Sequence, residues 1–187
     1  MEKLYKNVEK YLKKSAKIND CRQVMATIQH NNGKQVISNG FGVVVFDEWC
    51  ADLELLPTTR EELSLNLLQF IPTKTMNLYK EIKEEEKAVL NGLKSYIKEY
   101  KKQEFYQKGE PAVIRFCNKI FNAEFLNDIV SIVGDIDNLQ VFNDDNVYHG
   151  TIFKSDKTTA MLLPCRESSF ASEFLQKIEK FKNKIFA

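Results

Sequence analysis

Apolar residues in this chain recur with two different periods, and the switch between them sets the expected elements. Leu4, Val8, Tyr11 and Leu12, with Ser15 or Ala16, fall on one helical stripe. Lys3, Lys6, Lys10, Lys13, Lys14 and Lys17 take the other faces, so the spacing predicts a helix over Glu2 to Lys17, ended by Asn19-Asp20. From Cys21 to Gln29 the pattern becomes alternation, with Val24, Ala26 and Ile28 set against Gln23, Met25 and Thr27. His30-Asn31-Asn32-Gly33-Lys34 is rich in residues that tolerate positive φ and predicts a hairpin loop. The return strand starts at Gln35 to Ile37. Asn39-Gly40 interrupts it with a tight turn or bulge, and Phe41 to Phe46 resumes as a strand.

Residues 51–75 carry many leucines punctuated by Pro57 and Pro72, and predict a strand or short irregular stretch. Helical spacing returns from Met76 to about Lys102 through Leu78, Ile82, Val89, Leu93, Tyr96, Ile97 and Tyr100. The charged faces of that segment, KEIKEEEK and KEYKK, predict a solvated surface with partial ion pairing, Glu84 to Lys80 and Lys87 among them. Gly109-Glu110-Pro111 breaks the pattern. Ala112 to Ile120 then reads as a strand, and Ala123 to Val133 as an amphipathic helix with Asn122 at its N-cap and Gly134 at its end. Leu139 to Phe142, Val147 to Phe153 and Thr159 to Leu163 read as strands parted by the turn sequences NDDN and KSDK. A last helix runs from Ser168 to Phe186, with Ser168 or Ser169 near its start and Phe170, Phe174, Leu175, Ile178, Phe181 and Ile185 as its apolar stripe. The fold class expected from this order is α+β.

Composition changes this picture little. At 187 residues the chain suits one decorated domain, large enough to bury a core without staples. A net charge of +1 makes any basic face local. There is no signal-peptide h-region and no apolar run near the ~20 residues of a membrane span, so the expectation is a cytoplasmic protein with no membrane partner. Cys21, Cys50, Cys117 and Cys165 are scattered without a C-x-x-C pair, and His30 and His149 are the only histidines. Zinc would need distant parts of the chain, and the cysteines read as reduced, mostly buried apolar groups.

Candidate chemistry is sparse. Phosphate-loop, dinucleotide, nucleophile-elbow and zinc-protease signatures are absent, and no cofactor is expected. Asp135 with Asp137, and Asp144-Asp145, could hold a divalent metal but stand in turn sequences, where aspartate most often forms the turn. A thiol enzyme built on Cys165 and His149 would need an anion hole and a cleft that the sequence does not announce. Trp49 is an interface anchor or a half-buried loop aromatic. The lysines of the first helix are either a solvated face or a surface that tracks duplex phosphates without reading bases. With only Tyr5 and Tyr11 interleaved, stacking on single strands is not favoured.

Three segments carry a family resemblance. Phe121-Asn122-Ala123-Glu124-Phe125-Leu126-Asn127-Asp128-Ile129-Val130 resembles the strand ending in Phe-Asn, then x-x-aromatic-Leu-x-Asp-aliphatic-aliphatic, of the last domain of the bacterial DNA polymerase sliding clamp. Ala160-Met161-Leu162-Leu163-Pro164-Cys165-Arg166 is similar to that family's aliphatic run into Met-Pro-x-Arg, with leucine before the proline. Ile37-Ser38-Asn39-Gly40-Phe41 resembles the Ala-Thr-Asp-Gly turn of clamp domains. The resemblance implies a single DNA-clamp-like domain over residues 1–187, with a helical insertion at about 76–108 and a C-terminal helical extension at about 168–187. It further implies two helices on the concave side of sheets facing duplex DNA, the lysine helix being one.

It also implies a pocket for short peptides of replication proteins, formed here by Ser38, Asn39 and Gly40 with Leu162, Leu163, Pro164, Cys165 and Arg166. The chain departs from the family in further ways. Its second clamp-like helix carries Glu124 and Asp128 and no lysine, a ring needs six such domains, and the family stops before the C-terminal helix, whose apolar face would cover the pocket or a sheet edge. The expected function is a non-catalytic, stand-alone clamp-like domain, of a phage or mobile element, that contacts duplex DNA or replication proteins. The alternative is an interaction or structural module that has lost DNA binding. Strand edges left open in a single domain favour either a homo-oligomer or a capping helix.

Overall fold

A computed structural model of the protein describes residues 6–11, 26–31, 34–39, 41–47, 79–144 and 146–187. Residues 6–11 are helical (α1). Then come β1 (Ala26–Asn31), β2 (Lys34–Asn39), β3 (Gly42–Phe46), β4 (Tyr79–Lys80) and α2 (Glu84–Tyr100). The remaining elements are β5 (Val113–Phe116), β6 (Lys119–Asn122), α3 (Ala123–Val133), β7 (Gln140–Phe142), β8 (Thr151–Lys154), β9 (Thr158–Leu162), a 3-10 turn (Glu167–Ser169) and α4 (Ser172–Phe186). The architecture is mixed α+β with antiparallel sheets.

Seven strands form one sheet in the order β1-β2-β3-β9-β8-β7-β4, and β5 with β6 makes a separate hairpin. The centre of the large sheet joins distant parts of the chain, with Gly42 opposite Leu162, Val44 opposite Ala160 and Phe46 opposite Thr158. Because side chains alternate across a strand, this register sorts the sheet into two buried faces. Ile37, Val44, Phe153, Ala160 and Leu162 join the main core beneath the helices, while Val36, Val43, Val45, Phe142, Ile152 and Met161 form a second apolar cluster.

Helix α1 lies beside α3 over the main-core face. Val8 and Tyr11 are buried there, Asn7 Nδ2 donates to the Ser131 carbonyl at 2.7 Å, and the Tyr11 hydroxyl donates to the Gly42 carbonyl at 2.9 Å. Helix α3 starts where the sequence places it: Asn122 Oδ1 accepts from the Glu124 and Phe125 amides at 2.9 and 3.1 Å, satisfying two otherwise orphan donors. Gly134, at φ +91, ends it in a conformation that favours glycine.

Several expectations are corrected. Within the segment read as a helix from Met76, Tyr79–Lys80 is a short strand paired with β7, and α2 starts only at Glu84. Glu84, Glu85 and Glu86 complement the helix dipole there, and Glu86 Oε2 accepts from the Lys83 amide at 3.1 Å. The single strand expected over Ala112 to Ile120 is a hairpin, turned by Cys117 and Asn118, both at positive φ (47° and 61°). Such a two-residue turn matches the twist of its strands. Strand β8 begins at Thr151 rather than Val147, and β9 covers Thr158–Leu162.

The last helix starts at Ser172 from an Ala171 cap without a side-chain bond, so neither Ser168 nor Ser169 caps it. Ser38 pairs with Val43 in antiparallel register, so β3 runs back alongside β2 rather than resuming it. Of the expected ion pairs on α2, Glu84 meets Lys87 at 2.9 Å. The expected elements over 51–75, Trp49, Cys21, Cys50 and the ends of the first helix lie outside the described residues.

Helix α4 packs on α2 through an aromatic cluster. Tyr96 stands 5.2 Å from Phe181 and 5.9 Å from Phe186, ring centre to ring centre, while Tyr100 meets Phe105 edge-on at 5.2 Å. The Tyr96 hydroxyl donates to the Val113 carbonyl at 2.8 Å, tying the aromatic cluster to β5. Burial pushes the Tyr100 phenol up to about 12.

At Gly42, β3 lies close against both β9 and α1. A Cβ there would stand 2.7 Å from the Met161 carbonyl oxygen and 3.1 Å from the Tyr11 hydroxyl. Replacing Gly42 by Ala is expected to cost about 1–3 kcal/mol through forced backbone displacement. A urea titration of the variant against the parent checks this.

Candidate interaction groove

The register of β8 and β9 builds the site. Thr151 pairs with Leu162, so the residues before Thr151 stand beside those after Leu162. The Leu163 amide donates to the Phe41 carbonyl at 2.9 Å, carrying the ladder one residue past the strand. Pro164 has no N–H to continue it. The Cys165 amide then donates to the Ile120 carbonyl at 2.7 Å, so residues 163–166 bridge from the large sheet to the β5–β6 hairpin. Between this bridge and the 143–150 loop lies a groove of about 500 Å³ lined by Tyr148, Leu163, Pro164, Arg166 and Ser168.

Tyr148 is 64% exposed and Leu163 44%. With Val147 they are the large hydrophobic side chains left in solvent among the described residues. Arg166 is the one charged group of the lining.

The candidate pocket residues divide. Leu163, Pro164 and Arg166 line the groove, whereas Leu162 is in the core and Cys165 packs half-buried against it. Ser38 is buried, its hydroxyl donating to the Gly42 carbonyl at 3.0 Å. Asn39 ends β2, and Gly40 lies outside the described residues. Tyr148 and Ser168 complete the lining without having been expected there from the sequence. The Val147-Tyr148 pair was legible only as part of a strand, and its exposure depends on the loop before Thr151.

Beneath the loop lies a polar cluster. Lys119, with a side chain 1% exposed, donates from Nζ to Asp144 Oδ1 at 3.2 Å and to the His149 carbonyl at 2.9 Å. Asp144 Oδ2 meets His149 Nδ1 at 2.5 Å, and Asn146 Nδ2 meets His149 Nε2 at 3.1 Å. Asn143 anchors the loop's other end, donating to the Cys117 carbonyl at 2.9 Å and accepting from the Thr151 hydroxyl at 2.8 Å. Burial alone would raise the Asp144 carboxyl, but hydrogen bonds from His149 and Lys119, with their charges, outweigh it and hold the group below its usual value.

His149 and Cys165 share no hydrogen bond among the described residues. Both His149 ring nitrogens are engaged within the loop, and burial raises the Cys165 thiol. Asp135 forms a turn, its Oδ1 accepting from the Asp137 amide at 3.2 Å and its Oδ2 from Asn138 Nδ2 at 2.6 Å. Asp144 does the same for the Asn146 amide at 3.2 Å, and Asp145 lies outside the described residues.

Of the six candidate lysines, Lys6 and Lys10 are exposed on α1, and Lys3, Lys13, Lys14 and Lys17 lie outside the described residues. Lys10 Nζ stands 3.5 Å from the carboxylate of Asp128, which is 2% exposed. Glu124, the other acid of α3, pairs with Lys101. No helix among the described residues is long and apolar enough to cross a membrane.

Asp144 gives a pH test. Its folded pKa is depressed, so its contribution is complete above the ordinary value of 3.8 and is lost as pH falls through the folded value. Asp144→Asn is expected to cost about 3 kcal/mol at pH 6, the low end for breaking a buried pair, because the His149 carbonyl still accepts from Lys119. The gap in urea midpoint between parent and variant narrows as pH drops below about 4.

No protein-family model matches the chain, and no curated protein or solved structure is significantly similar to it.

Proposed function

We propose that this protein is a non-catalytic, clamp-like interaction module that takes a short peptide segment of a replication protein into the groove between Tyr148 and residues 163–166. The observation that carries the reading is a coincidence of two independent features. The segment whose sequence resembles the peptide-receiving strand of sliding clamps, Leu163-Pro164-Cys165-Arg166, borders the groove where Tyr148 and Leu163 stand exposed. Exposed apolar side chains gathered at one concave site mark a docking surface. The side-by-side α1 and α3 on one face of the sheet agree with the helix placement that the resemblance implies.

The groove's chemistry specifies its guest. Leu163, Pro164 and the Tyr148 ring suit large apolar side chains, and Arg166 suits a carboxylate beside them. Helix α4 leaves this surface open, since its apolar face packs on α2 and β5.

A second reading, sequence-independent contact with duplex DNA, rests on the exposure of Lys6 and Lys10 on α1. The acids of α3 weaken it, because Asp128 offsets the charge of Lys10.

Heptapeptides selected from a random displayed library against the folded chain are expected to share a large apolar residue near a carboxylate. Leu163→Glu and Tyr148→Ala should each weaken their binding at least tenfold, with circular dichroism unchanged. Selected peptides indifferent to both substitutions would overturn the groove assignment. In fluorescence anisotropy with a short duplex at two salt concentrations, the peptide-module reading predicts no salt-sensitive binding. Binding lost in the Lys6→Glu, Lys10→Glu double variant would instead establish the DNA reading.

A further inference from the structure

The hydrogen bonds at the tip of the 143–150 loop close only in one protonation state. Asn146 Oδ1 accepts from the Tyr148 amide at 3.0 Å, which fixes the orientation of the Asn146 side chain. Its Nδ2, which can only donate, therefore faces His149 Nε2 at 3.1 Å. Nε2 must accept, so the ring proton sits on Nδ1 and is donated to Asp144 Oδ2. The chain Tyr148 N–H to Asn146 to His149 to Asp144 is complete with a neutral imidazole and with no other form.

We propose that His149 and Asn146 are positioning residues that make the Tyr148 wall of the groove sensitive to acid, protonation of His149 releasing the Tyr148 backbone from its tether. This inference rests on the peptide-binding reading for its consequence, but not for its mechanism. A proton on Nε2 turns a donor toward the Asn146 amide nitrogen, and two donors cannot bond. Asn146 must then rotate its amide to offer Oδ1 to the imidazolium, and the Tyr148 N–H loses its acceptor.

Two charged groups stand at the imidazole, the Asp144 carboxylate and, bound to that carboxylate, the Lys119 ammonium arriving from β6. Across the groove, Arg166 stands with Tyr148 in the lining. The base of the loop does not depend on the His149 ring. Lys119 holds Asp144 Oδ1 and the His149 carbonyl, and Asn143 holds Cys117 and Thr151. Acid therefore acts on residues 146–149 and leaves their footing in place.

The test has two arms on the full chain. Without ligand, ring-nitrogen NMR of His149, one of only two histidines, should show the Nδ1–H tautomer when neutral. The Tyr148 amide proton should shift upfield along the same titration curve. An Nε2–H tautomer, or a Tyr148 amide that ignores the titration, overturns the inference. With a library-selected peptide, affinity should fall about five- to tenfold from pH 7.5 to 5.5 in the parent. It should stay flat in His149→Gln and be flat or reversed in Asn146→Asp, whose carboxylate accepts from both partners.

A fall that persists in His149→Gln also overturns the inference. If the Tyr148 amide titrates as expected while no peptide binds, the relay stands and the peptide-binding reading fails.

Discussion

The antiparallel pairing of β3 with β9 is the constraint on which the rest of the structure depends. It joins residues 42–46 to residues 158–162, so that the three strands β1-β2-β3 and the four strands β9-β8-β7-β4 become one sheet with two buried faces. Contacts this distant in sequence are entropically costly to form, and the register has to be specified by chemistry. Gly42 provides part of that specification, since only a residue without a Cβ lets β9 and the Tyr11 hydroxyl approach together. The same pairing seats α1 beside α3. It also directs the chain after Leu162 past Phe41 and onto the β5–β6 hairpin, which makes residues 163–166 an edge of the groove rather than a continuation of the strand.

The two segments without a counterpart in the clamp resemblance, α2 and α4, are each other's partners. Tyr96, Tyr100, Phe105, Phe174 and Phe181 form a contiguous aromatic cluster between and beside them. Such ring pairs contribute about 0.5–1.5 kcal/mol each beyond the burial of their area. With its apolar stripe engaged there, α4 does not close over the groove. The two helices thicken the helical layer and leave Leu163 and Arg166 exposed.

Much of the fold was legible because local rules and tertiary demands agreed. Asn122 and Gly134 bounded α3 to the residue, since cap chemistry acts within one turn and owes little to distant contacts. The Cys117-Asn118 turn was not legible. It has none of the glycine that marks such turns, and Ala112 to Ile120 contains enough apolar residues to read as one strand. Tyr79–Lys80 was absorbed into a helix because a two-residue strand has no period of its own and exists only by pairing with β7. Of the groove, Leu163, Pro164 and Arg166 could be named from the resemblance, while Tyr148 and Ser168 reach it through loop geometry. The Lys119–Asp144–His149 cluster left no pattern, because its members meet only when the hairpin tip folds under the 143–150 loop.

The groove, and not the α1 face, is proposed as the working surface. Amide hydrogen exchange, read by mass spectrometry with and without a saturating library-selected peptide, tests it most directly. Peptide seated in the groove slows exchange only at residues 146–149 and 163–169 and leaves α1 unchanged. Protection concentrated on residues 6–11 and α3, with the groove exchanging as before, would contradict it.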